Sequence, residues 1–219
     1  MYNSKTFRGF TLAEVLITLV IIGVIASMTI PTLMNNTNKQ EYVSRLKKAY
    51  STLTQVTNRI IADEGNPNSS VGGWATSAEA VFNMYKKYLS HTKTCEPNVA
   101  GCFDGTYKHL RLTTSPNFDI SRRYAFILSD GSEIILRTGG DFNNSCSNSS
   151  AGSNEVCQNI LADVNGRKGP NIVGKDVFGF VLKQDGLHPM GCDYEGECTN
   201  SSDGWGCACK VLREGAINY

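Results

Sequence analysis

The chain has 219 residues, with 21 basic against 20 acidic side chains and a formal net charge of +1. That length suits one ordinary domain plus a long terminal element. The even charge balance lacks the basic face of a nucleic-acid-binding protein, so no nucleic-acid partner is expected. Two features depart from an average composition: a long apolar run near the N-terminus, and eight cysteines that all lie between Cys95 and Cys209.

The first nine residues, Met1–Gly9, carry Lys5 and Arg8 and no acid. From Phe10 to Leu33 the chain runs 24 residues with a single carboxylate, Glu14, and between Val15 and Ile30 it carries no charge. A helix needs about 20 apolar residues to cross the bilayer core, so this segment is long enough to span. Basic residues precede it and none follows until Lys39. That asymmetry predicts an N-terminus in the cytoplasm and the rest outside. An ordinary secretory signal is cut after its apolar stretch, at a small-residue site. Here the small residue, Gly9, stands before the stretch, so a cut between Gly9 and Phe10 removes the basic leader and keeps the helix.

Glu14 is the informative residue. An acid costs about 2.5–3.5 kcal/mol at the centre of a membrane helix and less near the interface. One reading places Glu14 at headgroup level. The other pairs it with a positive charge from a neighbouring subunit, for which the amino group freed at Phe10 is a suitable partner.

The run Gly9-Phe10-Thr11-Leu12-Ala13-Glu14, followed by an apolar stretch with Gly23 and Pro31, resembles the N-terminal signature of type IV pilins and type II secretion pseudopilins. The resemblance implies cleavage between Gly9 and Phe10 by a prepilin peptidase and N-methylation of Phe10. It also implies assembly through the helix, with Glu14 and Pro31, into a filament of like or related pilin subunits on an inner-membrane assembly platform. The family usually has a larger aliphatic residue where Ala13 stands. Pro31 removes a backbone hydrogen bond and is expected to kink the helix. Gly23 and Ala26 permit close helix approach, or belong to a plain single-pass anchor.

After Asn35-Asn36 the pattern becomes amphipathic. Tyr42, Leu46, Ala49, Leu53, Val56 and Ile60 recur at spacings of four and three, one seam along a helix. Gly65 and Pro67 close that element. Thr76 and Glu79 resemble a capping box for a second helix carrying Val81, Phe82, Tyr85 and Leu89. Tyr107–Thr113 alternates like a strand. Tyr124–Leu128 and Glu133–Leu136 flank Asp130-Gly131, a strong hairpin signal, and Val177–Leu182 before Asp185-Gly186 reads as a second hairpin. A last short strand is expected over Lys210–Arg213. These elements predict an α+β fold, a long N-terminal helix packed on a small antiparallel sheet, which is also what the resemblance implies. The organisation expected is a leader over 1–9, a membrane and assembly helix over 10–33, its amphipathic continuation over 34–65, and a disulfide-stapled extracytoplasmic domain over 66–219.

An even number of cysteines in Gly-, Asn- and Ser-rich stretches points to disulfides in an oxidising compartment. No Cys-x-x-Cys pair is present to hold zinc. The loop Gly139–Glu155 is poor in apolar residues and holds Cys146, with Cys157 just beyond. Nearest neighbours predict Cys95–Cys102 and Cys146–Cys157. Cys207 and Cys209 face the same way on a strand and are expected to pair with Cys192 and Cys198 in some order.

Asp163, Asn165 and Asn171 place oxygen side chains around a glycine turn, with Asp176 downstream. Such a loop suits a calcium ion; an Asx-type turn solvated at the surface uses the same residues. The stretch is not an EF-hand, since the terminal Glu is missing and Lys168 stands where a ligand would be. The major pseudopilins carry calcium in a C-terminal loop, and this stretch is similar in kind without a motif match.

His91, His109 and His188 are isolated, and no phosphate loop, nucleophile elbow or His-Glu-x-x-His occurs. An enzyme is not expected. The leading expectation is a subunit of a type II secretion-type pseudopilus or type IV pilus-like filament supporting protein secretion. A type IV pilin for adhesion, motility or DNA uptake shares the same first thirty residues, and an ordinary membrane-anchored domain is the third possibility.

Overall fold

The structure is a computed structural model and describes residues 9–67, 72–97, 99, 107–112, 123–137, 156–192 and 198–219. The chain divides into two compact units, Met1–Lys39 and Gln40–Tyr219. Helix α1, Leu12–Glu64, has 53 residues and contributes to both. The helix runs through Pro31 without interruption. The helix stops where the glycine and proline signals place its end, with the Gly65 N–H donating to the Ile61 carbonyl at 3.0 Å.

In the second unit, Tyr42, Leu46, Ala49, Leu53 and Ile60 of α1 are buried in one hydrophobic core, and Val56 packs against it half-buried. This is the seam read from the periodicity. Its partners are α2 (Ala78–Tyr88) and one face of a six-stranded antiparallel sheet. The strands are β1 (Lys93–Cys95), β2 (Tyr124–Ile127), β3 (Glu133–Leu136), β4 (Gln158–Asp163), β5 (Val177–Lys183) and β6 (Gly186–Pro189), paired in that order. Helix α3 (Cys207–Glu214) packs on β5, and α2 packs on β2.

Register follows the side-chain period of two. Phe126 stands opposite Ile134, Ile134 opposite Ala162, and Ala162 opposite Phe178. Leu136, Ile160 and Phe180 form the next row, and both rows face the helices. Tyr50 of α1 stacks on Phe180 with centroids 5.7 Å apart. The opposite face buries Cys95, Ala125, Ile135, Leu161 and Val177 in a second cluster with Tyr107 and Val173.

The two hairpins form where Asp130-Gly131 and Asp185-Gly186 predict them. Three readings are corrected. Ser77, not Thr76, caps α2: its side chain accepts the Ala80 N–H at 3.0 Å. Tyr107–Thr113 is not a strand among the described residues. Lys108 makes one isolated bridge to Ile172, and residues 110–112 turn away. The segment read as a last strand, Lys210–Arg213, lies within α3. Its buried residues Cys207, Ala208 and Val211 fall on one helical face, which a strand would split between two. The leader up to residue 8, Cys102, Cys146 and the loop Gly139–Glu155 lie outside the described residues.

Candidate functional site

Gly9 and Phe10 precede α1 and are exposed, Phe10 by 88% of its surface. Thr11 is the residue before the helix, and Glu14 stands in its first turn. The two close a reciprocal cap. The Thr11 N–H and its hydroxyl both donate to Glu14 Oε2 at 2.9 Å, and the Glu14 N–H donates to Thr11 Oγ1 at 3.3 Å. A helix leaves its first N–H groups without intrahelical partners, and Thr-x-x-Glu supplies two of the missing acceptors. The negative carboxylate also suits the positive end of the helix dipole.

Leu12–Pro31 is long and apolar enough to cross a membrane, about 30 Å at 1.5 Å per residue. Its large apolar side chains, from Leu12 through Ile30, are exposed. The hydroxyls in the segment are satisfied inside the helix: Thr18 donates to the Val15 carbonyl, Ser27 to that of Val24, and Thr29 to that of Ile25. Such a surface presents hydrocarbon without stranded donors, the condition lipid or a packed helix bundle imposes.

Residues 4–30 match the family described as the prokaryotic N-terminal methylation motif, the prepilin-type signal of type IV pilins and pseudopilins. The chain carries a prepilin-type signal. No curated protein and no solved structure matches it. The prepilin-type signal supports a type IV pilin-like or pseudopilin subunit, and it points to a structural subunit rather than an enzyme. It implies processing by prepilin peptidase and assembly into pilin filaments. With the apolar helix, it fits a membrane-anchored pilin.

The other predicted residues gather in two places. Asp163, Asn165, Asn171 and Asp176 come together in the tight loop between β4 and β5. Asp163 Oδ1 accepts the Gly166 N–H at 2.8 Å and the Asn165 N–H at 3.3 Å, and Oδ2 accepts the Tyr107 hydroxyl at 3.0 Å. Asp176 accepts the N–H groups of Ile172 at 2.6 Å and Asn171 at 2.8 Å. The Asn165 amide donates to the Gly169 carbonyl at 2.6 Å, while Asn165 Oδ1 and Asn171 Oδ1 are buried without a hydrogen-bond partner. Burial, with the charge of Asp176 beside it, pushes the Asp163 carboxyl well above its ordinary range. Burial raises Asp176 too, against the pull of its backbone donors. Both carboxylates thus anchor the loop's own backbone; Asp163, Asn165, Asn171 and Asp176 are buried, while Arg167, Lys168 and Pro170 at the loop's tip are exposed. Among the described residues, no group of three or more His, Cys, Asp or Glu side chains is placed to hold a metal ion.

The second gathering is at α3, where Cys192 bonds Cys209 and Cys198 bonds Cys207. Cys95 and Cys157 are buried and disulfide-bonded. The histidines stand apart, each with a local partner: His91 against the Leu89 carbonyl, His188 with Asp185, His109 near Asp203 and edge-on to Trp205.

Thr11 gains its capping role only from the structure. The signal was present, since Thr11-Leu-Ala-Glu14 is itself a capping box ahead of an apolar run.

Proposed function

We propose that the chain is a structural subunit of a type II secretion-type pseudopilus, a filament that drives folded proteins outward. The prepilin-type signal at the head of an apolar helix long enough to cross a membrane is the observation that carries this reading. The disulfides of the remaining domain suit an extracytoplasmic position.

In this reading prepilin peptidase cuts between Gly9 and Phe10, and the new Phe10 amine is methylated. The helix then holds the subunit in the cytoplasmic membrane, with the sheet domain outside. An assembly platform and its cytoplasmic ATPase draw subunits from lipid into the filament, where helix packs on helix. Moving an apolar helix from lipid into protein gains little hydrophobic energy, because both surroundings are apolar. Packing and charge pairing therefore decide assembly, and Glu14 against the Phe10 amine of an adjacent subunit is the pair available in a low dielectric.

The test is a Glu14→Ala variant followed through fractionation into membrane and filament pools. The variant stays membrane-inserted and loses most of its incorporation into filaments. Normal incorporation contradicts the pairing.

A further inference from the structure

The two disulfides at α3 are nested, Cys198–Cys207 inside Cys192–Cys209, with sequence separations of 9 and 17. They differ in what surrounds the sulfur-bearing residues. Cys207 is fully buried and Cys198 is 8% exposed. Cys192 is exposed and Cys209 half-buried. Thiol–disulfide exchange requires a thiolate to reach a disulfide sulfur, so access separates the two bonds before any other factor does. We propose that Cys192–Cys209 is an exchangeable redox site, opened by a dithiol reductant and closed again by the disulfide form of that reductant running the same exchange in reverse, while Cys198–Cys207 is a permanent staple.

The step balances as follows. A reductant thiolate attacks Cys192 Sγ, the Cys192–Cys209 bond breaks, and Cys209 leaves as a thiolate. Cys209 is the third residue of α3, where the dipole of the helix start favours the departing negative charge. The second thiol of the reductant then displaces Cys192 from the mixed disulfide. The reductant ends as a disulfide, both cysteines end as thiols, and two electrons have moved.

Opening this bond need not unfold the domain, because the segment is held by other contacts. The Cys209 N–H donates to the Met190 carbonyl at 3.1 Å, and the Met190 N–H donates to that of Gly179 on β5 at 3.0 Å. The turn at Gly191 lies so close to α3 that a side chain there would run into the Gly206 carbonyl. Ala208 and Val211 keep α3 seated in the core.

The experiment uses the full chain in detergent micelles, exposed to increasing reduced dithiothreitol without denaturant, quenched with an alkylating agent and mapped by peptide mass spectrometry. Fragment ions separate Cys207 from Cys209. Cys192 and Cys209 are expected to label at least about tenfold faster than Cys198 and Cys207, with near-UV circular dichroism unchanged while only the outer pair is open. Equal labelling of both pairs, or the inner pair first, overturns the proposal. A Cys192→Ser/Cys209→Ser double variant supplies a second reading. It keeps cooperative unfolding and the inner disulfide, and loss of either result also overturns the proposal.

Discussion

The Glu14 carboxylate turns back on Thr11, the residue that opens its own helix, and takes both the amide and the hydroxyl of that residue on Oε2. The acid therefore has work to do within a single chain, and any charge pairing between subunits has to be separated from it. Glutamine fills the same place in a capping box without the charge. Glu14→Gln is thus expected to keep the helix start and membrane insertion, and to fail in filament incorporation as severely as Glu14→Ala. Fractionation of both variants checks this. Incorporation retained by Gln and lost by Ala would assign Glu14 to capping alone.

The α1 seam is expected to dominate the stability of the sheet domain. Leu53 is fully buried among α1, α2 and the sheet. Leu53→Ala removes that side chain and leaves a cavity, a loss of about 2–5 kcal/mol. Denaturant unfolding measures it as a lower midpoint.

How much of this was legible in the sequence depends on how each element signals itself. The seam of α1 repeats over several turns, so its period survives any single exception. The hairpins carry Asp-Gly turns whose geometry is local. Strand β4, by contrast, is buried on both faces yet holds Gln158, Asn159 and Asp163, so neither alternation nor an apolar run marks it. Strand β1 has 3 residues, too few to show a period. Helix α3 occupies the place where a strand is expected over Lys210–Arg213, and its 8 residues are too few to show a clear helical period. The helix stop was available in Gly215, which takes the left-handed conformation after Glu214. At the loop between β4 and β5 the oxygen spacing is visible in the sequence, but the donors that occupy the carboxylates come from Tyr107 and from backbone amides, which side-chain spacing does not reveal.

Tyr107 reaches across from a distant segment to hold the Asp163 carboxylate. Tyr107→Phe keeps the ring and removes the donor, leaving a buried acceptor short of one bond. A loss of about 1–3 kcal/mol is expected, read by the same unfolding measurement.

A cap contributes on a smaller scale. Ser77→Ala removes the side-chain acceptor of the Ala80 N–H and is expected to cost about 1 kcal/mol. Ser77→Gly should cost only a few tenths of that.

One surface pair gives a pH signature. Lys48 on α1 meets Asp130 in the first hairpin turn at 2.6 Å, and Ser132 donates to the other carboxylate oxygen through its N–H and hydroxyl. Partial burial raises the Asp130 carboxyl, but Lys48 and Ser132 outweigh it and hold the group down at about 2. A depressed carboxyl stabilises the fold above its unfolded value of about 3.8, and the contribution disappears as pH falls through about 2. Lys48→Ala should therefore be less stable than the parent at neutral pH, by about 1 kcal/mol or less for so exposed a lysine. The gap should close as pH drops from about 4 to about 2, as unfolding curves over that range will report.

Intact mass of the mature chain's N-terminus bears most directly on the filament reading. A protein starting at Phe10 and carrying one added methyl group on its amine is the predicted result. A chain that still begins at Met1, or one that has lost the whole stretch through Ile30, would contradict it.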